Sequence, residues 1–216
     1  MSKKMICSAC GASQFKKCGR NLMICDFCGS TIKINENEEI VSDSRVKTET
    51  VRLLIKASYA VTKEDYDEAL KYLEEALELD DYNAVTLNKI GMVYRKLYQY
   101  DLAKEFYLKA LEINREFGAV YSNLGVLEAL NDNHEEAIAF YEKALSLMSE
   151  NDIDYCSALG NYGYSKYLLG YKDEGLKKII EADKRGYGKE SLNNLLKLIK
   201  INPIDYKLRK LFSFHK

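Results

Sequence analysis

Twelve small residues recur at fixed intervals and constrain the fold more than anything else in the chain. Ala57, Gly91, Gly125 and Gly163 form the first set. Ala69, Ala103, Ala137 and Gly175 form the second, and Ala76, Ala110, Ala144 and Ala182 the third. Each set steps by 34 residues until a four-residue insertion, Asp152–Tyr155, precedes its last member. A small residue is needed where two helices cross closely, because a larger side chain would push them apart. Between these points stand large apolar residues: Leu53, Leu87, Tyr121 and Leu159, then Leu73, Tyr107, Tyr141 and Ile179. The chain has 17 Tyr and no Trp, so tyrosine fills the large aromatic core positions. One such helix pair cannot bury its apolar face alone, so stability has to come from stacking neighbours.

Four units follow from this register, at 50–83, 84–117, 118–151 and 156–189. In the second, Leu87, Ile90, Gly91 and Tyr94 are followed by Ala103, Tyr107 and Ala110. This pattern resembles the tetratricopeptide repeat (TPR), a helix–turn–helix unit of that length. The resemblance implies a mainly α fold, a right-handed α-solenoid. The match has departures. The family's proline near the end of each unit is replaced by Asp81, Arg115, Ser149 and Tyr187, and the tyrosine at Tyr94 becomes Ala60, Glu128 and Lys166 elsewhere.

The resemblance also implies a concave face lined by the first helix of each unit, where an extended peptide segment of a protein partner would lie. Here that face carries Asn88, Lys89, Met92 and Arg95, then Asn123 and Val126, then Asn161, Tyr164 and Tyr167. An Asn amide both donates and accepts, so a row of them can hold a peptide by its backbone. Met92, Tyr164 and Tyr167 offer apolar contacts, and Lys89 and Arg95 favour a peptide carrying acid. Some family members grip a chain-end carboxylate with a basic clamp. Its places fall here on Leu54, Ser58, Ala119 and Asn123, which lack the basic residues, so that mode is not expected.

A different chemistry opens the sequence. Cys7-Ser-Ala-Cys10-Gly11 and Cys25-Asp-Phe-Cys28-Gly29 are two CxxCG turns. Each CxxC turn brings two thiolates to one side of a tight loop, and two turns complete a four-thiolate site for Zn2+. Residues 14–20 and 22–24 read as a hairpin, with a third strand at 31–34. So short a segment cannot bury a stable core, and the metal would supply its folding free energy. Residues 1–35 thus resemble a small β zinc ribbon with Cys7, Cys10, Cys25 and Cys28 as ligands. Cys18 has no CxxC partner and reads as a free thiol.

Charge separates the parts. Residues 1–35 carry six Lys or Arg against one acid, and residues 184–216 carry nine against two, while residues 50–183 are acidic. Residues 36–49, acidic and without periodicity, read as a linker. Residues 190–216 read as a capping helix and a basic tail, with Leu192, Leu195, Leu196 and Ile199 at helical spacing. The two basic ends favour a second reading, a nucleic-acid-associated regulator. The sequence shows no secretory leader and no apolar run long enough for a membrane span. Six cysteines in that setting point to a reducing, cytoplasmic environment. The two histidines, His134 and His215, join no catalytic group, so an enzyme is not expected. The first reading is an adaptor that binds a partner's extended segment.

Overall fold

A computed structural model of the chain describes residues 15–17, 22–25, 31–33, 43–186 and 188–200, with most side chains from residue 48 onward. The chain divides into two compact units, residues 1–86 and 87–216. In the first, strands β1 (Phe15–Lys17), β2 (Leu22–Cys25) and β3 (Thr31–Lys33) form an antiparallel sheet in the order β1-β2-β3. Phe15 pairs with Cys25, and Met23 pairs with Ile32. Cys7, Cys10, Cys18 and Cys28 lie outside the described residues, and so does the ribbon's proposed metal chemistry.

Helix α1 (Asp43–Thr62) pairs with α2 (Tyr66–Leu79). Leu53, Ala57, Ala60, Ala69, Leu73 and Ala76 are buried in this unit. Helix α1 starts within the stretch read as linker. The residues ahead of Thr50 carry no repeat signature, so periodicity could not reveal them as helix. Asp65 caps α2, its Oδ1 accepting from the Glu68 N–H at 3.1 Å, which satisfies one of the four free amides at a helix start.

Helix α3 (Ala84–Lys96) leads into the second unit. There it is followed by α4 (Tyr100–Ile113), α5 (Gly118–Leu130), α6 (His134–Leu147), α7 (Ile153–Leu168), α8 (Lys172–Lys184) and α9 (Lys189–Leu198). The small residues stand where the spacing requires. A Cβ added to Gly91 would lie 2.5 Å from the Tyr107 ring on α4, and one added to Gly125 would lie 2.7 Å from the Tyr141 ring on α6. In the last pair both residues are glycine. A Cβ on Gly163 would meet the Gly175 carbonyl oxygen at 2.6 Å, and a Cβ on Gly175 would meet that of Gly163 at 2.5 Å. Where the second helix offers a tyrosine ring, one glycine makes room. Where α7 and α8 bring backbone to backbone, two are needed.

The turns within the four pairs share one geometry. Glu64, Tyr98, Asp132 and Gly170 have φ of 60°, 61°, 61° and 94°. In each, the next residue's N–H bonds back to the carbonyl five before it: Asp65 to Ala60, Gln99 to Tyr94, Asn133 to Glu128 and Tyr171 to Lys166, at 2.9–3.0 Å. The left-handed residue's own N–H bonds to Val61, Arg95, Ala129 and Tyr167 in turn, at 3.0–3.2 Å. This is the Schellman ending of a helix, and it satisfies carbonyls that the helix would otherwise leave free. Glycine suits the left-handed position best, yet only the fourth pair uses it.

Helix α9 closes the unit. Leu192, Leu195, Leu196 and Ile199 are buried against Cys156, Leu159, Leu176, Ile179 and Ile180. Each apolar side chain so buried contributes about 1.5–3 kcal/mol. This is the capping role that helical spacing implied, though the helix ends at Leu198.

An exposed helical glycine changed to alanine normally gains about 1 kcal/mol of stability. Gly91→Ala should reverse that sign and cost about 1–3 kcal/mol, because the Tyr107 ring is fully buried and has no room to move. Urea unfolding of the two proteins measures the difference.

Candidate functional site

All nine residues expected on the binding face belong to the second unit. They lie on α3, α5 and α7, the first helices of the second, third and fourth pairs. The structure places them as follows. Asn88 is buried, and its Oδ1 accepts from Asn123 Nδ2 at 2.9 Å. These two amides therefore tie α3 to α5, so they do not stand as separate free groups. Each keeps hydrogen-bonding capacity beyond this one bond. Asn161 is half-buried on α7, which packs against α5.

Met92 is exposed, and Lys89 and Arg95 are half-buried. Val126 packs against the cluster of Ala137, Tyr141 and Tyr162. Tyr164 and Tyr167 pack against the core formed with α9. These three are thus partly structural, each showing an edge to solvent and keeping the rest in the core. Tyr164 also meets His134 edge to face at 6.0 Å, and Lys172 lies over the Tyr167 ring at 6.0 Å.

Several polar links hold the helices that carry this face. Glu128 on α5 is buried; its Oε1 accepts from Lys104 Nζ on α4 at 2.8 Å and its Oε2 from Asn133 Nδ2 at 3.0 Å. The Lys104 bond, and then the Asn133 bond, hold its carboxyl below the ordinary glutamate range. Tyr162 on α7 donates to Glu142 on α6 at 3.1 Å. His134 Nδ1 lies 3.3 Å from the fully buried Ser165 Oγ, which joins the start of α6 to α7. The histidine at the turn of the third unit is therefore part of a helix junction.

Sequence reasoning missed one feature. Tyr107, placed there among the core residues, carries a buried hydroxyl, and the Arg95 Nε is buried as well. Burial pushes the Tyr107 phenol up, and Arg95 opposes that by its charge and by a side-chain hydrogen-bonding contact. No carboxylate among the described residues pairs with Arg95.

The paired helices, their recurrent Schellman turns and their small-residue crossings define a helix-hairpin repeat protein. In particular, the chain carries tetratricopeptide repeats, whose family models match residues 48–116 and 118–151. The pair α7–α8 follows both matches. The chain is similar to Small glutamine-rich tetratricopeptide repeat-containing protein 2 of Saccharomyces cerevisiae, at 26% identity over 120 residues. That alignment covers 56% of this chain and 34% of the yeast protein. It is also similar to Photosystem I assembly protein Ycf3 of Prochlorococcus marinus, at 31% identity over 97 residues, 40% of this chain and 56% of that one. The chain thus spans only part of the length of the curated relatives it matches. Among solved structures, PilF of Pseudomonas aeruginosa shares the fold with a TM-score of 0.62 and 17% identity, over 72% of this chain and 71% of that one. Among the described residues, no helix is long and apolar enough to cross a membrane.

Glu128 yields a pH-dependent expectation. Its folded-state carboxyl titrates lower than in the unfolded chain, so its stabilisation is full above the ordinary glutamate value, about 4.3. It is lost as pH falls through the depressed folded value. Glu128→Gln should therefore cost about 1–2 kcal/mol at pH 7 and nothing once pH is below both values. Denaturant unfolding of both proteins across that range reads the difference.

Proposed function

We propose that this chain is a protein-interaction adaptor, and that the face of α3, α5 and α7 receives an extended segment of a partner. The observation that carries this reading is the Asn88–Asn123 bridge at 2.9 Å, flanked on α3 by the exposed Met92. It places amide groups with spare bonding capacity beside an apolar contact, which is what backbone capture with side-chain anchoring needs. Asn161, Tyr164 and Tyr167 extend the face along α7, and Lys89 and Arg95 favour a segment that carries acid. One of the chain's relatives is itself named an assembly protein, which suits such a role. The chain works by binding and not by catalysis.

The triple variant Asn88→Ala, Asn123→Ala, Asn161→Ala is the test. A partner captured from lysate by the full chain and then identified should lose at least about tenfold in affinity, with helicity unchanged by circular dichroism. Unaltered affinity would remove the assignment of this face.

The N-terminal module holds one Zn2+ through Cys7, Cys10, Cys25 and Cys28. The reading rests on the two CxxCG turns, four soft thiolates being the donor set of a closed structural zinc site. The antiparallel β1-β2-β3 sheet, with Cys25 ending β2, suits such a module. The metal's contribution is to folding, and a thiolate site of this kind belongs in a reducing compartment such as the cytoplasm. The purified chain should contain about one zinc per molecule by elemental analysis, lost in the Cys7→Ser, Cys10→Ser variant. A full complement retained would refute these ligands.

A further inference from the structure

The outer side of α1 carries the places by which later helices seat on their neighbours. In the repeat register, Arg52, Lys56 and Tyr59 of α1 match Val120, Leu124 and Leu127 of α5, and Ala158, Tyr162 and Ser165 of α7. Those six are buried. Helix α5 packs against α4, and α7 against α6, in each case the second helix of the pair before. On α7 the contacts are explicit. Tyr162 packs against Ala137 and Tyr141 of α6 and donates to Glu142 at 3.1 Å. Ser165 Oγ lies 3.3 Å from His134 Nδ1, at the start of α6.

Helix α1 opens the array, and its matching places are not covered in that way. Arg52 is exposed, Lys56 is half-buried and Tyr59 is 61% exposed. Beside them Val51 and Ile55 are 54% and 64% exposed. Val51, Ile55 and Tyr59 recur every four residues, so one helix face presents them as a stripe. The charges along the stripe are mostly positive. Arg52 pairs with Glu49 at 2.6 Å, whereas Lys56 and Lys63 lie over the rings of Tyr72 and Tyr59, at 5.0 and 4.5 Å. A ring contact leaves an ammonium its full charge. The end unit of a repeat array needs a polar outer face for solubility, which the cations supply. Solubility does not call for three large apolar side chains beside them.

We propose that this side of α1 receives an acidic amphipathic helix of a partner protein, seated as α6 seats on α7. A carboxylate of that helix meets Lys56, at the place where Glu142 meets Tyr162, and its apolar face covers Ile55 and Tyr59. A second copy of the same face would set lysines against lysines, which like-charge repulsion disfavours. A phosphate backbone would satisfy the lysines and leave the apolar stripe in water. This surface belongs to the first helix pair and does not depend on the reading of α3, α5 and α7.

An isolated helix of this length is marginal in water, so the test uses a hydrocarbon-stapled peptide with the sequence of residues 133–148. The staple sits on the side that faces solvent. Added to the full chain, the peptide should move the Tyr59 ring resonances and saturate them. The same peptide with Glu142→Lys should bind about tenfold more weakly. The Lys56→Glu chain should reverse that preference, with helicity unchanged by circular dichroism. Tyr59 resonances that ignore the first peptide, or equal binding of both peptides to the native chain, would overturn the proposal. A folded Lys56→Glu chain that keeps the native preference would do the same, since the peptide then sits elsewhere. So would Tyr59 resonances that move on dilution of the chain alone, because they assign the face to a second copy.

Discussion

The second unit depends on a close approach: the ring of a tyrosine on one helix lies where the partner helix has no side chain. Gly91 faces Tyr107 and Gly125 faces Tyr141, at distances a Cβ would violate. Tyr107 and Tyr141 are among the largest fully buried side chains. The glycine has a cost in helix propensity, and the buried ring offsets it with a large apolar area. Between α7 and α8 the second residue is also glycine, and the approach becomes carbonyl to backbone. The crossing is one device with two side-chain solutions.

The crossing and the turn act together. A Schellman turn reverses the chain in a few residues, so the second helix of each pair returns directly over the first. That fixes which residues of α3, α5 and α7 stay clear of the second helix of their own pair. The polar bridges add specificity to the stack: Lys104 with Glu128, Tyr162 with Glu142, Asn88 with Asn123.

Much of this was legible in the sequence because crossing points tolerate few residue types. Twelve small residues at fixed spacing revealed the helix pairs and their inner positions. Helical spacing likewise revealed the apolar face of α9. Other features had no local signature. Glu64, Tyr98 and Asp132 adopt a left-handed conformation that glycine would have announced and these residues do not. The start of α1 at Asp43 lies ahead of the repeat, where no period operates. Asn88 and Asn123 looked like free amides because their mutual bond joins residues 35 apart in sequence. The burial of the Tyr107 hydroxyl beside Arg95 is a property of three-dimensional packing alone.

Glycine and ring are complementary across this crossing, and a double-mutant cycle of Gly91→Ala with Tyr107→Leu measures how far each depends on the other. Leucine lacks the ring edge that an added Cβ would strike. Tyr107→Leu should therefore cost less in the Gly91→Ala background than in the native one, by about 1 kcal/mol or more in urea unfolding. Costs that simply add, to within about 0.5 kcal/mol, would contradict the account.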